Sequence, residues 1–394
     1  MFDNNVPFDN ISYLNNDTAE NNALAEKVAE DSIVMLKNNG ILPLRQNSVK
    51  TIAVVGPNAD SRTALEGNYS GMASQYITIL DGIREAAGPD TRVIYTEGCH
   101  LYKETDSDLS RQKGDRIAEA VEAASLADVV ICVLGLDARL EGEEGHPSNA
   151  FDGGDKRDLL FPGLQTELLK QLVTTGKPVI LINMTGSAMD LRYADENCAA
   201  VLQAWYPGGR GGRAVASVLF GKPPSGKLPV TFYKSSEELP DITDYSLRAG
   251  NGRTYRFMKN EALYPFGFGL SYTKFAYRDL KARRIEKGAA VSVTVKNAGD
   301  YPQAARETSL LFVSHNDKTF DAYNWSLKGI AETVLNPGEE AKLTFDLTQS
   351  DLSVFDANGN EIFDEGAITI YVGGSQPDAR SVGLTGAAPL SVVI

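Results

Sequence analysis

The 394-residue sequence holds only three cysteines and three histidines. Cys99, Cys132 and Cys198 are widely separated, odd in number and without a CxxC spacing, which argues against both a disulfide framework and a zinc site. Cys132 falls inside an apolar run and reads as a core residue. His100, His146 and His315 are too scattered in sequence to suggest a metal cluster. No cofactor and no metal are expected. No apolar run approaches the roughly twenty residues that span a bilayer, so no membrane partner is expected. Positive charge is in deficit: 38 Lys and Arg against 52 Asp and Glu give a net charge of −14, which repels nucleic acid. There is no internal repeat and no low-complexity tract. Phosphate loops are missing too. Gly208-Gly209 with Gly211-Gly212 lacks the strand–GxGxxG–helix pattern, and Gly56-Pro57-Asn58 has a proline where an amide donor is needed. A nucleotide-dependent α/β enzyme is disfavoured on that ground.

What is present divides into two textures. From Ala23 to Tyr233, helical and strand-like segments alternate. Helices are predicted over Ala23–Asn38, Ile77–Ala87, Arg116–Leu126 and Pro162–Thr174. Strands are predicted over Thr51–Gly56, Arg92–Tyr95, Val129–Leu134, Pro178–Asn183 and Ala199–Trp205. Continuous apolar strands joined by helices imply a mainly parallel sheet sandwiched by helices, with ligands at the carboxyl ends of its strands. Ser235 to Tyr277 is rich in Pro, Gly and aromatics, a connector expected to pack its rings against a domain. From Leu280 the alternation has period two, with turn signals at Asn297–Asp300, Asn336–Gly338 and Asn358–Asn360, as in an all-β sandwich. The expected organisation is a linker over 1–22, an α/β domain over 23–234, a connector over 235–279 and a β-sandwich over 280–394.

The chemistry-bearing stretch follows the predicted strand Val129–Leu134. It runs Asp137-Ala138-Arg139-Leu140-Glu141-Gly142-Glu143-Glu144-Gly145-His146 and continues through Asp155-Lys156-Arg157-Asp158. Carboxyls crowded this closely cannot all ionise at their usual pKa, so one is a candidate proton donor near neutral pH. A solvated acidic loop or a divalent-cation site are the other readings of the same residues. Arg157 and Asp158 either orient the loop or form a plain surface pair. Asn68 and Tyr69, in Gly67-Asn68-Tyr69, either approach a ligand or form a turn stabilised by Asn68. Trp205 and Tyr206 either stack on a ligand or pack against the connector.

A series of strings, in order along the chain, resembles the C-terminal portion of glycoside hydrolase family 3, of the β-xylosidase and β-glucosidase kind. They are EDSIVMLKNNGILPL, IAVVGPNAD, EGNYSG, LEGEEG with GGDKRDLLFPGLQTELL, KPVILINMTGSAMDL, AWYPGGRGGRAVASVLFGKPPSGKLPVTFYKS, GRTYRF and LYPFGFGLSYTKFAY. The resemblance implies a (β/α)8-like barrel carrying an aspartate nucleophile, then an α/β sandwich domain, then a fibronectin type III-like domain. It implies an active site between the first two and a general acid/base on a loop of the second. Glu143 is the implied acid/base, with Glu144 and Glu141 as second choices. Asn68, Tyr69 and Arg157 are the candidates for contact with substrate.

The start of the sequence, Met1-Phe2-Asp3-Asn4-Asn5-Val6-Pro7-Phe8, resembles the connector after the barrel; it has neither the basic region nor the apolar segment of a secretory signal. No barrel and no nucleophile motif precede it. The chain is therefore expected to be a fragment, a cleavage product or one partner of a split enzyme, and to be inactive alone. The expected partners are an oligosaccharide or aryl glycoside, an N-terminal barrel domain or chain, and a second copy as a homo-oligomer. The compartment stays open, cytoplasmic or periplasmic/secreted. The competing function is a non-catalytic module that binds a glycan or a partner surface.

Overall fold

A computed structural model describes residues 8–45, 48–104, 112–141, 156, 158–241, 243–317, 322–356 and 358–394. The first half is built from α1 (Ala19–Ser32), β1 (Val34–Asn38), β2 (Thr51–Val55), α2 (Ile79–Ala87), β3 (Arg92–Thr96), α3 (Asp115–Ser125), β4 (Val129–Gly135), α4 (Gln165–Thr174), β5 (Val179–Met184), α5 (Arg192–Asn197), β6 (Ala200–Gln203) and α6 (Gly211–Leu219). After α7 (Thr254–Phe257) come β7 (Phe275–Ile285), β8 (Gly288–Asn297), β9 (Ala305–His315), β10 (Ser326–Leu335), β11 (Glu340–Thr348), β12 (Ser353–Phe355), β13 (Glu361–Phe363), β14 (Ile368–Gly373), α8 (Ala379–Thr385) and β15 (Leu390–Val393).

The first six strands form one sheet in the order β1-β6-β5-β4-β2-β3, with β2 to β6 parallel and β1 antiparallel to β6. The apolar strands are buried on both faces because helices cover both. In β4, Val130, Cys132 and Leu134 join one core with α3 and α4, while Val129, Ile131 and Val133 join the other with α2 and α6. Cys132 is thus a core residue, and all three cysteines are buried free thiols. Helices α2 and α6 approach so closely that a Cβ on Gly82 would lie 2.0 Å from the carbonyl oxygen of Gly212.

The sequence expectation of one helix over Ala23–Asn38 is corrected. The helix ends at Ser32, and Val34–Asn38 is the antiparallel edge strand, with Val34, Met35 and Leu36 all buried. A short apolar run fits a buried strand and a helix equally well by periodicity, and here pairing with β6 decides. Helix α4 begins at Gln165 rather than Pro162, because Gly163 adopts φ +59° before it.

The second half packs a β11-β8-β7 sheet on a β10-β9-β14-β15 sheet, both antiparallel, with the β12–β13 hairpin alongside. Val291, Val293, Leu311, Val313, Ile370 and Val372 interdigitate in its core. The connector packs its aromatics as expected. Tyr255 stacks on Phe266 at 4.2 Å between centroids, and Phe266 meets Phe312 of β9 edge-on at 6.4 Å.

Candidate active site

Strand β4 ends at Gly135, whose φ of +151° and 1.9 Å approach of a would-be Cβ to the Met184 carbonyl oxygen require glycine. Buried Gln165 clamps this end. Its Oε1 accepts from Gly135 N at 2.8 Å, and its Nε2 donates to the carbonyls of Leu101 at 2.6 Å and Gly135 at 2.8 Å. Asn58 Nδ2 donates to the next carbonyl, Leu136, at 2.7 Å.

The chain then turns on Asp137, which is fully buried. Its backbone carbonyl accepts from Leu140 N and Glu141 N, both at 3.0 Å, and its carboxylate takes Arg139 N at 2.9 Å and the Arg139 guanidinium at 2.6 Å. That pairing raises the Arg139 pKa above its ordinary value.

Glu141 follows, with a side chain only 14% exposed. Its Oε2 accepts from Gly186 N at 2.7 Å and from the Tyr206 hydroxyl; its Oε1 accepts from the Ser187 hydroxyl. Gly186 and Ser187 lie on the loop after β5, which a buried amide cluster shapes, and Tyr206 follows β6. Asn183 Nδ2 donates to Gln203 Oε1 at 2.5 Å and Thr185 Oγ1 at 3.1 Å, and Thr185 Oγ1 donates to the Ser187 carbonyl at 2.7 Å. Burial, then the Glu141 charge, pushes the Tyr206 phenol far above its ordinary pKa and keeps it a neutral donor.

Lys156 returns to the same place. Its Nζ lies 4.0 Å from Glu141 Oε1 and donates to the Ala188 carbonyl at 2.7 Å. Burial lowers its pKa, against the opposing pull of Glu141 and Asp158. Residues 141 and 156 therefore meet over the loop after β5, at the carboxyl edge of the sheet.

Asn68 joins this cluster, its Nδ2 donating to the Glu141 carbonyl at 2.7 Å. Tyr69 beside it is 85% exposed with φ +61°. Glu143, Glu144 and Arg157 lie outside the described residues. Asp158 accepts from Leu160 N at 2.8 Å, a local turn. Tyr206, read from the sequence as either stacking on a ligand or packing against the connector, lies against Gly186 and Gly67 and bonds Glu141. Trp205 Nε1 donates to the Ser32 carbonyl at 3.0 Å. Ser187, Lys156 and Gln165 were not anticipated as site residues. The only signal for them was their place in the strings NMTGSAMDL, GGDKRD and FPGLQ.

A mainly parallel sheet wrapped by helices, with Glu141 anchored at its carboxyl edge, is followed by an antiparallel β-sandwich. Residues 33–272 match the glycosyl hydrolase family 3 C-terminal domain, and residues 307–376 match a fibronectin type III-like domain. The chain belongs to glycoside hydrolase family 3, as a C-terminal portion. It is 35% identical over 386 residues to a beta-xylosidase of Formosa agariphila, covering 93% of this chain and 50% of that protein. To a periplasmic beta-glucosidase of Salmonella typhimurium it is 30% identical over 403 residues, covering 94% of this chain and 51% of that protein. Among solved structures, a β-glucosidase of Erythrobacter marinus superposes with a TM-score of 0.78 at 33% identity, covering 96% of this chain and 51% of that one. The chain spans about half the length of the curated relatives it matches.

Proposed function

We propose that this chain is the acid/base half of a retaining, exo-acting β-glycosidase that releases terminal β-linked xylosyl or glucosyl units from oligosaccharides. Glu143 is the proton shuttle, and the aspartate nucleophile comes from an N-terminal barrel outside this sequence. The observation that carries the reading is the anchored base of the carboxylate loop. Glu141 is held by Gly186, Ser187, Tyr206 and Lys156, two residues before Glu143 in the chain. Glu141 has its oxygens committed to these donors, so it positions the loop instead of moving a proton.

In a retaining mechanism the two carboxyls stand about 5 Å apart. The aspartate attacks the anomeric carbon while the protonated Glu143 gives its proton to the departing glycosidic oxygen. Glu143, now ionised, then takes a proton from the water whose oxygen displaces the aspartate from the anomeric carbon, and that proton restores its acid form as the free sugar leaves. Neighbouring carboxylates favour its protonated form in the first step.

Half an active site does not turn over. The isolated chain is expected to release no aryl aglycone above background from aryl β-xylosides and β-glucosides, and activity is expected when a family barrel is joined or added. Turnover by the isolated chain contradicts the reading.

A further inference from the structure

The connector motif GRTYRF and the segment after it do no work in the proposed catalysis, yet they wall a cavity of about 210 Å³ between the connector and the β-sandwich. Two buried side chains line it, Thr231 at 9% and Gln376 at 5% exposure. Thr231 Oγ1 and Gln376 Oε1 have no hydrogen-bond partner among the described residues. A buried oxygen left without a donor costs about 1–3 kcal/mol, so its persistence points to an occupant that supplies one.

The other walls are aromatic. Trp325 and the stacked pair Tyr255–Phe266 line the cavity. A second, more apolar cavity of about 640 Å³ adjoins it, sharing Thr231, Tyr255 and Phe266. The walls are tied together across the connector–sandwich boundary, which makes the site preformed. Asn324 N donates to the Arg256 carbonyl at 2.7 Å, and Asn324 Nδ2 to the Met258 carbonyl at 3.0 Å.

The charged groups at the rim are already engaged. Lys259 Nζ donates to the Gly250 carbonyl at 3.0 Å, and Glu261 pairs with Lys234 at 3.2 Å. Asp378 caps α8 through Ser381 N at 3.0 Å, and Arg380 bonds the Leu263 carbonyl at 3.2 Å and Asp195 at 3.4 Å. Among the described lining residues, what stays unmet is the neutral Gln376 amide oxygen and the neutral Thr231 hydroxyl, beside aromatic side chains. That demand selects a neutral ligand with hydroxyl donors and an apolar face, rather than an ion.

We propose that this cleft is a non-catalytic sugar-binding site that takes one pyranose unit of a β-linked oligosaccharide, its hydroxyls donating to Gln376 and Thr231 and its ring packed on Trp325. The site is built from residues separate from the carboxylate loop and does not depend on the role of Glu143.

The test is a calorimetric titration of the intact chain with xylobiose and with cellobiose, paired with saturation-transfer NMR, with glycerol as the control polyol. Saturable one-site binding of a disaccharide is expected, weakened roughly five- to tenfold or more by Gln376→Leu and by Trp325→Ala. Glu143→Ala should leave this binding unchanged, which separates it from the catalytic reading. Gln376→Leu removes no hydrogen bond made by Oε1, and where it does fail to fold, Trp325→Ala carries the test. Absence of saturable binding, equal binding of glycerol, or parent-like affinity in the folded variants overturns the proposal and leaves water as the occupant.

Discussion

Between Asp137 and Glu141 two carboxylates are already spent on holding the chain. Asp137 takes the Arg139 backbone and guanidinium, and Glu141 takes three donors from residues 186, 187 and 206. A carboxylate so saturated fixes geometry, which is why the proposed proton transfer is assigned to Glu143 rather than to Glu141. If Glu141 anchors the loop, Ser187→Ala should cost roughly 1.5–3 kcal/mol in denaturant unfolding, the range for a hydrogen bond to a charged group, and Ser187→Thr should recover part of it. An unchanged midpoint in Ser187→Ala would show that the Glu141 contact adds nothing. The density of acids in this loop was legible in the sequence. Which acid anchors it was not, because the donors lie on the strings around residues 186 and 206, brought alongside only by the parallel order of β4, β5 and β6.

Elements are held at both ends of the sheet by side chains that bond backbone. At the carboxyl end of β4, Gln165 satisfies one amide and two carbonyls in a buried setting. Gln165→Leu should therefore destabilise the fold by about 3 kcal/mol or more, read as a lowered unfolding midpoint, because three buried groups lose their partner together. At the amino end, Asp128 Oδ2 accepts from Lys50 N at 2.8 Å and Thr51 N at 2.9 Å, tying β2 to β4. The two amides hold the Asp128 pKa below its ordinary 3.8, so the unfolded chain binds this proton more readily than the folded one. The stabilisation is complete above 3.8 and is lost as pH falls through the depressed value. The Tm difference between the parent and Asp128→Ala should accordingly be largest near neutral pH and narrow below pH 3.8; a gap independent of pH would contradict the assignment. The continuous apolar runs of β4 and β5 made the parallel sheet legible. β1 was misread because Ile33 to Leu36 carries no period that separates strand from helix, and the antiparallel partner that settles it lies at residues 200–203.

At the scale of the molecule, a parallel sheet and a β-sandwich are joined by an aromatic connector that packs on both. Tyr264 and Phe268 sit in the core of the first, while Phe266 reaches Phe312 of the second. The change of period at Leu280 made the two-part architecture readable, and β7 in fact begins at Phe275. In the proposed mechanism Glu143 shuttles the proton for a nucleophile carried elsewhere. The most direct measurement is turnover by Glu143→Ala in the chain joined to a family barrel, with and without azide. Hydrolysis of an unactivated disaccharide should fall by about 10²–10⁴-fold, aryl glycosides with good leaving groups should suffer far less, and azide should restore rate with a β-glycosyl azide as product. Undiminished hydrolysis of the disaccharide, or a loss that azide does not relieve on any substrate, would contradict it.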